Sequence, residues 1–438
     1  MKHLFLLLFT LITIALSAQD NLKLNAKIRT TIVLSVSQKL LDNYVDPDTA
    51  IKMSNYIKER NKAGAYDKIT DPFVLADRIS SDLLSVYHDG HLSVQYNPEL
   101  EKELSTPAPP VQAPTNDLPA KRNMDENFGL QKVEILNGNI GYLNLTHFWA
   151  DKKYGRETVK AALKFVSRSN ALIIDLRTNG GGSPETVTMI CSYFFEKRIH
   201  VNDTYSRPDN KTIEFWTEPD STLPELVNMP LYILTSKNTF SAAEEFAYNL
   251  KNLKRATIIG EKTGGGAHNM FEVSAGNGIV IYMPYGKAVN AITKTNWEGV
   301  GVKPDIEVSA NESLETAEMK IFENMISNVT DGEELFNLKW QFEILSAINN
   351  PLVLDAETLK KYAGVYGERT FTFENGKLYY QRTGKPKFEM EAMSQTMMKG
   401  KDNTYFKIEF VKSTDGTINE VKAYYQDNRI ESSFRTEK

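Results

Sequence analysis

The stretch from Leu231 to Gly266 most constrains what this chain can fold into. Leu231-Tyr-Ile-Leu is a short apolar run suited to a buried strand. Ser241-Ala-Ala-Glu then opens a segment with apolar residues at Ala242, Phe246, Ala247 and Leu250, a helical spacing. A second apolar run, Ala256 to Gly260, ends in a loop rich in glycine. Strand, helix, strand of this length predicts a βαβ unit with Ser241 at the strand-to-helix turn. In an open α/β sheet that turn lies at the carboxyl end of a strand, where ligands bind.

The α/β pattern begins well before that unit. Val133-Glu-Ile-Leu and Ile140-Gly-Tyr-Leu-Asn-Leu flank a turn at Asn137-Gly138 and predict a hairpin. A helix over Thr158 to Ser167 leads to the apolar strand Ala171-Leu-Ile-Ile-Asp-Leu, which runs into Arg177-Thr-Asn-Gly-Gly-Gly-Ser-Pro. After the central unit, Asn277 to Pro284 and Lys287 to Thr293 read as hairpin-like strands. Upstream, Ile28, Ile32, Val33, Val36 and Leu40 recur at helical spacing, as do Leu75, Ile79 and Leu83. Downstream, Thr370-Phe-Thr-Phe, Lys377-Leu-Tyr-Tyr, Tyr405-Phe-Lys-Ile-Glu-Phe and Val421-Lys-Ala-Tyr-Tyr alternate between turn signals, which predicts a separate small antiparallel β domain, such as a half-barrel.

The expected organisation is an export signal over 1–18, a helical domain over 19–98 and a proline-rich linker over 99–130. An α/β domain over 131–312, a helical connection over 313–350 and a small β domain over 351–438 follow. The first residues have a charged end at Lys2, an apolar run from Leu4 to Leu16 and small residues before Gln19, the layout of a secretory leader cleaved after Ala18. The chain is therefore expected outside the cytoplasm, periplasmic or extracellular, with no stable membrane span after cleavage. Its single cysteine, Cys191, lies in an apolar helical stretch, so no internal disulfide is available and stability must come from packing. With 51 Lys and Arg against 56 Asp and Glu, a net charge of −5, the chain lacks the clustered basic surface that nucleic acid demands.

Three groups carry candidate chemistry. Ser241-Ala-Ala-Glu suits a helix capping box, and the same geometry also suits a nucleophile beside free backbone N–H groups. Position alone does not separate the two. The Gly180-Gly-Gly loop lets backbone approach a ligand closely, and equally makes a tight turn flanked by an Asp175–Arg177 ion pair. A serine nucleophile needs a base, and six histidines are on offer. His3 falls in the leader, His200 in a polar connection and His147 in an aromatic run. His88 and His91 flank a turn, His268 ends the second glycine loop, and Glu298 between Trp297 and Gly299 is placed to orient an imidazole.

Five motifs together resemble the tail-specific (C-terminal-processing) serine peptidase family, in the branch that includes the tricorn protease core and the interphotoreceptor retinoid-binding protein. They are Asp89-Gly-His-Leu-Ser, Leu176-Arg-Thr-Asn-Gly-Gly-Gly, Thr239-Phe-Ser-Ala-Ala-Glu, Gly260-Glu-Lys-Thr-Gly-Gly-Gly-Ala-His and Trp297-Glu-Gly-Val-Gly-Val-Lys-Pro-Asp, in family order across residues 30 to 310. The resemblance implies an α/β fold with a ClpP/crotonase-like ββα core. It implies Ser241 as nucleophile and the N–H groups of Gly181 and Ala242 as oxyanion hole. The processing branch takes its base from a lysine in the loop after the nucleophile. Here that loop reads Gly264-Gly-Gly-Ala-His, and Lys262 comes too early. The tricorn-like branch uses a histidine and a glutamate that match His91 and Glu298, with His268 as the alternative base. Its pattern also has a serine before the histidine, where this chain has Gly90.

The expected function is a secreted serine endopeptidase acting on peptides or unfolded protein through an acyl-enzyme, with no metal or cofactor. Two alternatives use the same fold: a non-catalytic binding protein for an apolar ligand or glycan, and an esterase. No PDZ-like insert separates His91 from Val133, so capture of a substrate C-terminus is not expected.

Overall fold

The computed structural model describes residues 23–106, 121–151 and 153–436, so the leader over 1–18 and most of the proline-rich stretch lie outside the described residues. The described chain divides into two compact units. One draws on Met1–Leu118, Asn202–Phe215 and Gly265–Val300, the other on Pro119–Val201, Trp216–Gly264 and Gly301–Lys438.

In the first unit three helices, Ala26–Asn43, Pro47–Lys62 and Pro72–Val86, begin at the side-chain caps Asn25, Asp46 and Asp71. Two of them open on proline, whose missing N–H costs nothing in the first turn. Their apolar faces, Ile32, Val33, Val36, Leu40, Leu75 and Ile79, share one core with Ala275, Ile279, Ile281 and Met283. Those four come from the strands His268–Gly276 and Ile279–Asn290. The helical domain expected over 19–98 is thus one part of a discontinuous unit that also holds a five-stranded antiparallel sheet. Residues 277–293, read from sequence as two strands, form one twelve-residue strand, Ile279–Asn290. A register shift between Pro284 and Gly286 absorbs the proline, so the strand bends without ending. Its first half pairs with Ser93–Tyr96 and its second with His200–Ser206. The expected extended linker over 99–130 contains the helices Pro98–Ser105 and Lys121–Asp125 at its two ends.

The second unit is built on a six-stranded sheet. Its order is Ile306–Glu307, Thr257–Gly260, Leu231–Thr235, Ala171–Asp175, Ile140–Leu145, Leu130–Leu136. Every neighbour is parallel except the hairpin edge strand Leu130–Leu136. Ala171–Asp175 and Leu231–Thr235 are buried along their whole length, as expected of central parallel strands covered on both faces. One face packs Ile140, Tyr142, Ile173, Tyr232 and Ile259 against Ile321, Phe322 and Leu338 of the helices Ser313–Asn328 and Gly332–Asn349. This is the α/β core expected around the Leu231–Gly266 stretch.

The C-terminal strands form an eight-stranded antiparallel meander in sequence order from Gly364–Tyr366 to Ile430–Phe434. An antiparallel bridge between Tyr366 and Arg435, with the Thr436 N–H donating to the Val365 carbonyl at 2.9 Å, joins the last strand to the first. The sheet closes beyond the half-barrel expected, which removes the exposed edges an open meander would leave. Aromatic residues fill it, with Phe371 lying 4.9 Å from Phe410 and 5.2 Å from Tyr380 between ring centroids. Phe371 is 1% exposed, so Phe371→Ala should cost about 3–5 kcal/mol, read as a lowered urea midpoint for the transition of the β domain.

Candidate functional site

Ser241 sits where the strand Leu231–Thr235 hands over to the helix Ala242–Asn252. Its φ of 56° and ψ of −123° lie in a region that residues with a Cβ seldom adopt. Three contacts over-determine this strained turn. The Ser241 N–H donates to Glu244 Oε2 at 2.9 Å, completing the capping box read from Ser-Ala-Ala-Glu. The Thr239 hydroxyl donates to the Leu176 carbonyl at 2.8 Å, and the Phe240 N–H to the Asn179 carbonyl at 3.1 Å. Both tie the turn to the glycine loop on the neighbouring strand.

The buried ion pair of Asp175 and Arg177, with Nε to Oδ1 at 2.9 Å, starts that loop, as the plain reading of these residues expects. Tyr142 donates to the same carboxylate at 2.6 Å. At Gly181 φ is 113°, and a Cβ there would lie 2.8 Å from the Ser241 Cβ, so glycine is required both by conformation and by contact with the serine. The Gly181 N–H donates to Asn179 Oδ1 at 2.8 Å. To serve as an oxyanion donor it must share or exchange that bond.

The helix after Ser241 carries two adjacent buried glutamates with different surroundings. Glu244 is fully buried; its second oxygen accepts from the Thr263 hydroxyl, which in turn accepts from the Val302 N–H at 2.6 Å. Glu245 is fully enclosed, and burial, reinforced by the charge of Glu185, pushes its carboxyl up to about 8. Between the ordinary value of 4.5 and that folded value the native chain keeps a proton the unfolded chain has released, so stability falls as pH rises through this window. Glu245→Gln should abolish that slope, with a gain in Tm over the parent that grows from about pH 5 to about pH 8 in thermal melts.

His91, His268 and Glu298 belong to the other unit, where Asp89 gathers the two histidines. Asp89 is fully buried. Its Oδ2 accepts from the Tyr44 hydroxyl at 2.8 Å and faces His268 Nδ1 at 2.8 Å. Its Oδ1 accepts from the His91 N–H at 2.9 Å and lies 4.0 Å from His91 Nδ1. Glu298 Oε2 accepts from the Ala267 N–H at 2.5 Å and lies 3.7 Å from His268 Nδ1. Trp297, 2% exposed, donates to the Gly266 carbonyl at 2.7 Å and anchors this turn against the loop.

The three titratable groups respond differently. Burial opposes ionisation of Asp89, yet hydrogen bonds from His268, the His91 N–H and Tyr44 hold its carboxyl below the usual range. Burial, opposed by Asp89 and assisted by His268, pushes His91 down to about 4, so its ring is neutral at physiological pH. Burial also works against the His268 imidazolium, but the bond to Asp89 and the charges of Asp89 and Glu298 outweigh it and raise its affinity for a proton. Asp89, His91 and Glu298 bring one ligand atom each within 4.8 Å of one another, the spacing of a cation site. The Asp89 oxygens are already committed to three donors, and the group reads as a hydrogen-bonded assembly.

Ser241, Ala242 and Gly181 thus share one unit, and His91, His268 and Glu298 the other. His147 and His200 lie against the Trp149 and Trp216 rings, at 4.2 and 4.5 Å between centroids. Sequence reasoning quoted Asp89 without giving it a role and missed Tyr44. The Asp-x-His spacing, which lets an aspartate accept the N–H two residues on, was the available signal for the first. Nothing local marks Tyr44.

Comparison with known proteins adds two family matches. Residues 139–308 match peptidase family S41, and residues 14–129 match the N-terminal domain of peptidase S41 in eukaryotic IRBP. Carboxyl-terminal-processing peptidase 2, chloroplastic, of Arabidopsis thaliana is 31% identical over 171 residues, 38% of this chain and 31% of that one. The carboxy-terminal-processing protease of Bartonella bacilliformis is 25% identical over 272 residues, 57% of this chain and 59% of that one. The chain therefore spans less than two thirds of the length of these relatives. A crystal structure of a candidate peptidase from Parabacteroides merdae covers 70% of this chain and 100% of its own at 18% identity, with a TM-score of 0.48.

Proposed function

From the S41 peptidase domain that this chain carries over residues 139–308, we propose that the protein is an exported serine endopeptidase that hydrolyses peptide bonds through an acyl-enzyme on Ser241. The observation that carries the proposal is the strained Ser241 turn, held by Glu244 and pressed against a glycine at position 181 that no other residue could replace. Strain kept at one serine by this many contacts is the mark of a nucleophile turn; an ordinary helix cap has no need of it.

In this reading the Ser241 hydroxyl attacks the scissile carbonyl and its proton passes to His91. The Ala242 N–H, with that of Gly181, stabilises the oxyanion as the tetrahedral intermediate forms. The intermediate collapses, the leaving amine takes the proton from His91, and water repeats the sequence to free the enzyme. Burial supports His91 as acceptor because it keeps the ring unprotonated. Glu298 orients the imidazole and offsets its charge. A second reading makes His268 the base, favoured by its Nδ1 lying 2.8 Å from a buried carboxylate, the arrangement that fixes a triad histidine. The substrate is a peptide or unfolded protein segment, and export rests on the leader-like residues 1–18.

The test is turnover of casein and labelled peptides by Ser241→Ala, His91→Ala, His268→Ala and Glu298→Gln. Ser241→Ala and His91→Ala should each lose about a thousandfold or more in kcat/KM. Full turnover by Ser241→Ala would end the peptidase reading. Failure of a fluorophosphonate probe to label Ser241 would favour a binding protein, and hydrolysis of esters without the matched amides would favour an esterase.

A further inference from the structure

Asp89 has no step in the reaction just described, yet it is fully buried and engaged by three donors. Burying a carboxylate is costly unless donors satisfy it. Asp89 has three: Tyr44 at the end of the first helix, His268 at the start of a strand 179 residues away, and the His91 N–H two residues on. The two oxygens divide the work, one facing His91 and the other Tyr44 and His268. Gly90, between Asp89 and His91, is exposed and has no side chain with which to hold the ring.

We propose that Asp89 is a positioning residue for His91, and that Tyr44 and His268 form the clamp that holds Asp89 in place and balances its charge. The inference rests on His91 being the base. Asp89 fixes the His91 backbone through its N–H and sets a negative charge 4.0 Å from His91 Nδ1. That charge favours the imidazolium formed when the serine proton is taken. The clamp tempers the effect, because a protonated His268 disfavours a second positive charge on His91. The other charged and titratable groups facing this assembly are Glu298, Tyr87 and Lys287. Glu298 acts on His268, Tyr44 and Tyr87, and Lys287 on His268. His91 therefore stays a neutral acceptor into mildly acidic solution while remaining aligned.

The clamp makes opposite predictions for its members. In His268→Gln the positive charge is lost and the Asp89 charge acts on His91 unopposed, so both changes raise the proton affinity of His91. The acid limb of the kcat/KM profile should move to higher pH by on the order of one unit, with activity at the high-pH plateau well above that of Ser241→Ala. In Asp89→Asn the isosteric amide keeps the shape and removes the charge. Its kcat should fall about 10–100-fold at unchanged KM, and its acid limb should not move up. Tyr44→Phe removes one hydroxyl and should reproduce the Asp89→Asn effect in weaker form.

The experiment is a pH series of kcat and KM on one peptide for the three variants of the full chain beside Ser241→Ala and His91→Ala, with a thermal melt of each. If Asp89→Asn does not fold, Tyr44→Phe and His268→Gln carry the test. Parent-like profiles in both would overturn the inference and leave Asp89 a structural tie. Activity of His268→Gln at the level of Ser241→Ala would also overturn it, making His268 the base. Full activity in His91→Ala would remove the base assignment and the inference together, an outcome distinct from the other two.

Discussion

The Ser241 turn of the second unit depends on the buried carboxylate of Glu244. One oxygen takes the N–H of Ser241, which fixes a backbone conformation that a serine would not otherwise hold. The other takes the Thr263 hydroxyl, and Thr263 in turn receives the Val302 N–H. A single side chain thus couples the Ser241 turn, the start of the second glycine loop and the return of the chain after Gly301. Burial makes this effective: in a low-dielectric site each hydrogen bond to a charged oxygen is stronger, and losing one partner leaves a costly orphan. Its neighbour Glu245, equally buried, lacks such donors and keeps its proton instead.

The local parts of this arrangement were legible in the sequence. Ser-Ala-Ala-Glu announced the capping box, the apolar runs at 171–176 and 231–234 announced central strands, and alternating aromatics announced the C-terminal β domain. Each is a signal carried by residues within a few positions of one another. What periodicity did not reveal is which distant pieces join. The strands from Asn202–Phe215 and Gly265–Val300 complete the unit begun by the N-terminal helices, and no window of the sequence spans those pairings. The closure of the β sheet rests on Tyr366 meeting Arg435, again a non-local contact. At Pro284 the rule that proline interrupts a strand applied, but a bulge absorbed the residue and pairing continued.

The candidate chemistry divides in the same way. Ser241 and its glycine partner are fixed by turn geometry, so a motif of a few residues suffices to find them. The candidate acid–base residues are fixed by charge, and charge is shared among side chains from three parts of the chain. Asp89 is meaningless to a sequence reader until Tyr44 and His268 are seen on its far oxygen. The two histidines that matter are the two packed around it, whereas His147 and His200 lie against tryptophan rings. A histidine in a loop carries no label; its surroundings decide whether it is neutral, charged or merely packed.

Those surroundings explain how two imidazoles near one carboxylate can differ so much. His268 faces the second oxygen of Asp89 directly, with Glu298 beside it, and gains a proton more readily. His91 receives a through-space contribution from the first oxygen, and burial together with the neighbouring His268 holds it unprotonated. Were both rings charged, their repulsion would have to be met inside a site that excludes water. Were both neutral, Asp89 would keep its negative charge in the interior with weaker compensation. One ring that binds its proton more readily beside one held neutral is the arrangement that satisfies the buried aspartate and still leaves an unprotonated imidazole to accept a proton. The division of labour between His268 and His91 follows from the burial of Asp89 itself.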